Sequence, residues 1–218
     1  MNSKQQIRLA TILVVSLIVI DQVVKILVKT NMQLGQEFNV IGDWFRIHFI
    51  ENRGIAFGML TGEGMVGFGK IMLTLLRLCA SIFLGWFIVR CARRGARTPF
   101  IAYLSLFMAG AVGNVIDSCF YGLIFNESYY QIATLFPPEG GYGTFLQGRV
   151  VDMFYFPLFE FDWPQWMPFF GGEHFEFFNA IFNVADSCIT VAVIWFIIDQ
   201  LFVAPKEKND LVKEKSED

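Results

Sequence analysis

Two aspartates in this chain have the residue type and the surroundings that acid–base chemistry requires. Asp152 follows the sequence Gly-Arg-Val-Val, and Asp186 lies inside a strongly apolar stretch near the C-terminal end. A carboxylate within such a stretch is energetically costly and is usually functional. Two carboxyl groups in one water-poor site do not both ionise readily, so they can share a proton and activate a water molecule for hydrolysis of a peptide bond. We therefore interpret Asp152 and Asp186 as a candidate catalytic pair.

The elements that position these aspartates are predicted to be membrane-spanning helices. The chain has 218 residues, of which 55% are hydrophobic and only 17% are charged, a composition typical of integral membrane proteins. Four apolar runs each approach the ~20 residues that cross a bilayer as a helix. They cover approximately residues 9–28, 71–89, 100–121 and 177–202. We predict an α-helical integral membrane protein, a bundle of four transmembrane helices that forms one membrane-embedded domain over residues 1–218.

Basic residues predict the orientation of these helices. They are concentrated before the first run, between the second and third, and after the fourth, which places both termini in the cytoplasm. The loops at residues 30–70 and 122–176 should then face outward. Turn signals in the first loop predict a small extracytoplasmic β-sheet cradle between the first two helices. The second loop is long and aromatic, and such rings partition to the level of lipid headgroups. Residues 204–218 are predicted to be a disordered cytoplasmic tail.

Several polar groups are predicted to lie at one depth in the membrane. At about 1.5 Å of rise per helical residue, Asp21 lies roughly 20 Å above the basic flank of its helix. On the same measure Asn114 and Asp117 lie about 25 to 30 Å above theirs, and Asp186 lies about 30 Å above its own. We therefore expect all of these groups near the outer edge of the hydrocarbon region.

Helical spacing groups the same residues further. Gly110, Asn114 and Asp117 repeat at i, i+4 and i+7, so they share one helix face. The same spacing recurs in the fourth run at Asn179, Asn183 and Asp186. Asn183 is thus expected to orient Asp186 by a hydrogen bond.

Simpler interpretations exist for several of these residues. Asp21 and Lys25 also fit an ion pair at i and i+4. Asn114 and Asn183 also fit hydrogen bonds that hold membrane helices together. Arg77, in the second run, fits either a charge partner for a carboxylate or a substrate-binding group. These alternatives stay open at this point.

Other functions fit the pattern less well. A small transporter or channel could use intramembrane carboxylates as an ion or proton relay, but it would string them across the membrane rather than cluster them at one edge. A scaffold that merely holds helices together and a hydrolase that pairs Ser118 with Lys25 are further alternatives. The only histidines are His48 and His174, without a helical pair of zinc ligands, so we expect neither a metal nor an organic cofactor. The net charge of −3 gives no indication of nucleic-acid binding.

Five motifs occur in order along the chain. They are Asp21-Gln-x-x-Lys25, Asn52-Arg53-Gly54-Ile-Ala-Phe, Gly110-x-x-Gly-Asn114-x-x-Asp117, Val-Val-Asp152 and Phe-Asn183-x-Ala-Asp186. Together they resemble the motifs of lipoprotein signal peptidases, the type II signal peptidases of bacteria. The resemblance covers most of residues 8–203.

This resemblance implies an aspartic intramembrane protease of the bacterial cytoplasmic membrane, with its active site near the outer leaflet. Its partners would be membrane lipid and the signal peptides of prolipoproteins, which it would cleave N-terminal to a cysteine that carries a diacylglyceryl group. Asp152 and Asp186 match the catalytic dyad. The supporting or substrate-contacting positions are Asp21, Lys25, Asn52, Arg53, Gly54, Gly110, Asn114, Asp117, Arg149 and Asn183. No cofactor is implied, and we expect a monomer.

The chain departs from this family in two places. The third motif usually continues from the aspartate to an arginine, whereas Ser118 follows Asp117 here. Arg149, Arg53 and Arg77 are candidates to substitute for that arginine. Extra sequence at about residues 126–148 and 157–174 is expected to change the outward entrance to the site.

Overall fold

The computed structural model describes residues 1–52 and 63–203, without the side chains of residues 63–67 and 160. It contains four helices that are long and apolar enough to cross a membrane: Ser3–Asn31, Phe68–Arg93, Thr98–Ile124 and Val184–Val203. It also contains a small antiparallel sheet. The predicted combination of four apolar helices and a small sheet is therefore confirmed. The predicted tail at residues 204–218 lies outside the described residues.

The helical segments are α1 (Ser3–Asn31), α2 (Glu63–Arg93), α3 (Thr98–Ile116), α4 (Gly122–Ile124) and α5 (Val184–Ile198). Two π-helical turns extend them: Asp117–Tyr121 links α3 to α4, and Asp199–Val203 follows α5. Such turns are rare and occur often at functional sites. The first of them begins at Asp117, a residue of the predicted site.

The strands are β1 (Glu37–Ile41), β2 (Phe45–Asn52), β3 (Val150–Tyr155), β4 (Phe159–Asp162), β5 (His174–Phe177) and β6 (Ile181–Phe182). One antiparallel sheet has the order β1-β2-β3-β6, and β4 and β5 form a second sheet of two strands. The predicted cradle drew on the first outward loop alone. In the structure the sheet also contains β3 and β6, which come from the second loop, and β2 pairs along its length with β3.

The fourth helix begins later than predicted. The apolar run starts at residue 177, but α5 begins at Val184, because residues 174–177 and 181–182 are strands that pair with β4 and β3. A continuous apolar run does not distinguish a buried strand from a buried helix, so the run predicted a helix that begins too early.

The chain divides into two compact units. The first comprises Met1–Ile20, Leu76–Asn114 and Val184–Asp218, and the second comprises Asp21–Leu75 and Val115–Asn183. In the first unit, small side chains such as Ala10 and Ala92 pack with Ile88 and Ile101 in a buried cluster. At the C-terminal end of α5, both carboxylate oxygens of Asp199 accept hydrogen bonds from Arg97, at 2.9 and 3.1 Å.

The second unit contains the sheet and its apolar core. Phe49 from β2, Val151 and Met153 from β3, and Tyr121 from the π-helical turn are completely or almost completely buried in one cluster. Because alternate residues of a strand face opposite sides, the packing of Val151 and Met153 on this core directs Asp152 to the other face of β3. The strand thereby fixes the direction of the candidate catalytic carboxylate.

Candidate active site

Asp152 is held by an inner strand of the four-stranded sheet. It lies in β3 rather than in a loop, and only 2% of its surface is exposed. Strand β6 pairs with β3 through Phe154 opposite Phe182, and the chain then delivers the buried Asn183 to the aspartate. The side-chain amide Nδ2 of Asn183 donates to Oδ1 of Asp152 at 2.6 Å. The pairing of β3 with β6 thus provides an amide donor for this carboxylate.

Asp186 is held by two packed helices of the first unit. It lies half-buried in the first turn of α5, where the exposed backbone N–H groups of the helix favour a negative charge. Nδ2 of Asn114, on α3, donates to Oδ1 of Asp186 at 2.8 Å. The two helices lie so close together here that a Cβ atom at position 110 would collide with the backbone carbonyl of Ala185. The absence of a side chain at Gly110 therefore permits this contact.

Each candidate catalytic carboxylate therefore accepts a hydrogen bond from an asparagine. The structure shows Asn183 donating to Asp152 and Asn114 donating to Asp186. Asn183 follows β6 and precedes the first residue of α5, so its side chain can reach the sheet. An orienting role of Asn183 towards Asp186 stays a prediction.

A second group of charges is buried beside this sheet. Nζ of Lys25 lies 2.9 Å from Oδ2 of Asp21 and 2.7 Å from Oδ2 of Asp117, and all three side chains are at most 2% exposed. Gln22 donates to Asp117 at 2.8 Å and accepts from the hydroxyl of Tyr121 at 3.2 Å. The interpretation of Asp21 and Lys25 as an ion pair is confirmed, but Lys25 also bonds Asp117. The lysine thus ties α1 to the π-helical turn.

Asp117 in turn contacts the strand that carries Asp152. Oδ2 of Asp117 accepts a long hydrogen bond, 3.4 Å, from the backbone N–H of Val151. The backbone N–H of Gly148 donates to the carbonyl of Ser118 at 2.9 Å, and a Cβ atom at Gly148 would collide with the carbonyl of Asp117. Asp117 and Ser118 thus position the segment that leads to Asp152. Asp117 itself contacts the backbone of β3, the strand that carries Asp152.

Arg149 belongs to a further ionic cluster. Its guanidinium donates to Glu51 at 3.0 Å and to both oxygens of Glu127 at 2.7 and 2.9 Å, and it lies 4.5 Å from the ring centroid of Tyr142. Lys29 also donates to Glu51. Burial opposes ionisation of Glu51, but the neighbouring Lys29 and Arg149 hold the pKa of this carboxyl below its usual value. The cluster joins β2 to the extra sequence before β3.

The remaining predicted residues are placed as follows. Asn52 is the last residue of β2 and pairs with Val150 of β3, which places it two positions from Asp152 along the ladder. Arg53 and Gly54 lie outside the described residues. Arg77 lies half-buried on α2, and the choice between its two roles stays a prediction.

Sequence reasoning did not assign Gln22, Lys29, Glu51 or Glu127 to the site, although Gln22 stands in the first motif. One signal was available for Lys29, because Asp21, Lys25 and Lys29 repeat at intervals of four residues and so share one face of α1. Glu51 and Glu127 gave no comparable signal, since their meeting depends on the pairing of β2 with β3 and on the course of the extra loop. Among the side chains that the structure describes, no group of three or more histidine, cysteine or acidic residues could hold a metal ion.

The four long apolar helices define a multi-pass membrane protein, and each of its two units holds a polar group that includes a candidate catalytic carboxylate. Residues 13–202 match the family model described as Signal peptidase (SPase) II. The chain belongs to this signal peptidase II family and is a bacterial multi-pass membrane peptidase. The resemblance stated from the five motifs is confirmed, and nothing in the family match supports the alternative of a transporter or channel.

Individual relatives agree with this assignment. A lipoprotein signal peptidase of Porphyromonas gingivalis (strain W83) is 50% identical over 187 residues, which are 85% of this chain and 80% of the relative. One from Amoebophilus asiaticus is 32% identical over 186 residues, 84% of this chain and 73% of the relative. A solved structure described as a bacterial membrane enzyme superposes with a TM-score of 0.57 at 26% identity, covering 89% of this chain and 94% of that chain.

Proposed function

We propose that this protein is an aspartic endopeptidase that cleaves signal peptides from diacylglyceryl-modified bacterial prolipoproteins, N-terminal to the lipidated cysteine. Membership of the signal peptidase II family supports the reaction, and the names of the relatives support the substrate. The observation that carries the assignment of catalytic residues is that Asp152 and Asp186 each accept a hydrogen bond from an asparagine amide. Such a bond fixes the orientation of a carboxyl group, as an acid–base role requires.

The proposed mechanism needs one proton shared by the two aspartates. One carboxylate, ionised, takes a proton from the attacking water, and the other, neutral, donates a hydrogen bond to the scissile carbonyl and stabilises the tetrahedral intermediate. The amides of Asn183 and Asn114 hold the two carboxyl groups in their working rotamers. Neither a metal nor an organic cofactor takes part.

The other predicted site residues have supporting roles in this proposal. Asp21, Lys25 and Asp117 join the C-terminal part of α1 to the π-helical turn that contacts β3, and Gly110 allows α3 and α5 to approach. Arg149 anchors the extra loop to β2. Asn52, at the end of β2, is proposed to contact the substrate together with Arg53 and Gly54.

We further propose the topology and setting of the enzyme. The protein acts as a monomeric, single-domain enzyme of the bacterial cytoplasmic membrane with both termini in the cytoplasm, as the distribution of basic residues supports. Its site lies near the outer leaflet, which supports entry of the signal peptide from the side while the acyl chains of the substrate stay in lipid. A lipidated cysteine would then place the scissile bond at the depth of the aspartates.

Cleavage by purified protein tests the proposal. A diacylglyceryl-modified prolipoprotein and its unlipidated form are incubated in nanodiscs with wild type, Asp152→Asn, Asp186→Asn and the control Asp43→Asn, which changes an exposed aspartate in a turn. We expect lipid-dependent cleavage by wild type and the control, and loss to background in both site variants. Substantial turnover by either site variant would contradict the dyad. Failure of the folded wild type to cleave, together with ion flux in liposomes, would instead support a relay.

A further inference from the structure

The two-stranded sheet of β4 and β5 is an amphipathic hairpin. Its register places Phe159 opposite Phe177 and Phe161 opposite Phe175, alternating with pairs that include Asp162 opposite His174. Because the side chains of a strand alternate between its faces, the four phenylalanines share one face, and Asp162, His174 and Glu176 share the other. The rings of Phe159 and Phe177 stack in parallel at 4.6 Å between centroids. One face of this hairpin is thus continuously aromatic.

Much of the aromatic face and of the tip lies on the surface of the structure. Phe159 and Phe177 are 52% and 44% exposed, and at the tip Trp166 and Phe169 are 81% and 94% exposed. Phe169 also has a φ angle of 77°, which is a strained conformation for a bulky residue and occurs mainly where function requires it. A lone two-stranded hairpin is only marginally stable in water. An exposed apolar patch of this kind indicates a surface that is covered in use.

The chemistry of the patch favours a lipid surface as the covering partner. Residues 163–170, which form the tip, contain no charged residue, and residues 150–203 contain neither lysine nor arginine. Protein interfaces typically combine aromatic anchors with arginine, whereas tryptophan-rich uncharged surfaces partition into the headgroup region of membranes. The acidic opposite face makes a zwitterionic headgroup layer a better match than an anionic one.

The position of the hairpin in the chain also favours lipid. Phe177 ends β5, and the membrane-spanning helix α5 begins at Val184, so the hairpin is tethered by a short segment to a helix that enters the bilayer. Within the second unit the ring of Phe178 lies 6.1 Å from that of Phe182, which stacks on Phe156 at 5.6 Å. A row of aromatic rings therefore continues from the hairpin along the edge of the sheet.

We propose that residues 158–178 form a membrane-interface anchor whose aromatic face and tip insert among the headgroups of the bilayer. The inference does not depend on the proposed peptidase reaction, since it concerns how the extra sequence is covered. Insertion of the tip holds the edge of the sheet that carries Asp152 at a fixed height above the hydrocarbon region.

Spin-label accessibility tests this anchor. In a background in which the four cysteines are replaced by alanine, single cysteines are introduced as Trp166→Cys, Phe169→Cys and, on the charged face, Asp162→Cys. Each variant is labelled with a nitroxide and placed in phosphatidylcholine nanodiscs, and its accessibility to oxygen and to a water-soluble nickel chelate is measured. We expect oxygen access to exceed nickel access at positions 166 and 169, and the reverse at position 162.

Every other pattern would overturn the anchor. Nickel access at positions 166 and 169 equal to that at position 162 would place the tip in water. Exclusion of both reagents from the tip would mean that protein covers it, either another part of this chain or a partner. Oxygen access at all three positions would mean that the hairpin is immersed without a preferred face.

A second measurement keeps the native cysteines and so does not depend on the folding of the substituted background. Tryptophan fluorescence of wild type and of Trp166→Phe is quenched by phosphatidylcholine brominated near its headgroup end. We expect the quenched share of the emission to fall in the variant, because one of the five tryptophans leaves the interface. An unchanged quenched share would refute insertion of the tip.

Discussion

Replacing Gly110 by alanine should separate the helices that hold Asp186. A Cβ atom there would lie 2.6 Å from Cγ1 of Ile189 and would also collide with the backbone carbonyl of Ala185, both on α5. Carbon atoms pack without repulsion at about 3.5 to 4.0 Å, so α3 and α5 must move apart locally by about 1 Å. The isoleucine can change its rotamer, but the carbonyl is backbone and cannot yield without moving the helix.

The expected cost follows from this displacement. The hydrogen bond from Asn114 to Asp186 is 2.8 Å long and lies one helical turn from Gly110, so about 1 Å of added separation takes it beyond hydrogen-bonding range. Overpacking of this kind costs about 1 to 3 kcal/mol of stability. A catalytic group misplaced by about 1 Å costs about 100-fold in rate, equivalent to about 2.7 kcal/mol. We therefore expect kcat/KM to fall about 100-fold, with most of the loss in kcat.

Gly85→Ala on α2 provides the matched control. A Cβ atom there would lie 3.1 Å from Cε of Met108, the end of a flexible side chain that can move aside. The assay is cleavage of lipidated prolipoprotein in nanodiscs, with the folded fraction of each variant measured in parallel. Wild-type kcat/KM in folded Gly110→Ala, or an equal loss in Gly85→Ala, would refute the proposed role of close helix packing.

Two further predictions concern the buried charges. Lys25→Met leaves the carboxylates of Asp21 and Asp117 buried without their cation, so we expect a loss of about 3 to 5 kcal/mol in unfolding free energy. Thermal unfolding in detergent measures it against Lys4→Met at an exposed site, and equal melting temperatures would contradict the ionic role. Because the folded-state pKa of Glu51 is below its ordinary 4.5, its contribution is complete above that pH and is lost as pH falls through the folded-state value. Glu51→Gln should therefore make the unfolding free energy depend less on pH below 4.5. The same dependence on pH in the variant and in wild type would contradict this role of Glu51.

The sequence predicted the four helices and the candidate dyad because their signals are local. Run length and charge flanks depend only on neighbouring residues, and the aspartates stand within short motifs. The partners of those aspartates were not predictable in the same way. Asn183 reaches Asp152 because β6 pairs with β3, and α5 begins at Val184, seven residues after the predicted start at residue 177.

The extra sequence before β3 also depends on nonlocal contacts, and these explain how the site tolerates it. Residues 126–148 separate Asp117 from the strand of Asp152, yet the backbone N–H of Gly148 donates to Ser118 at 2.9 Å and that of Gly143 donates to Gly122 at 2.8 Å. The two ends of the insertion are thereby held together at the π-helical turn. The entropic cost of closing a loop grows only slowly with its length. A long insertion whose ends are held by hydrogen bonds therefore destabilises the fold little more than a short one. The distance between Asp117 and β3 is consequently set by these two backbone hydrogen bonds rather than by the length of the loop.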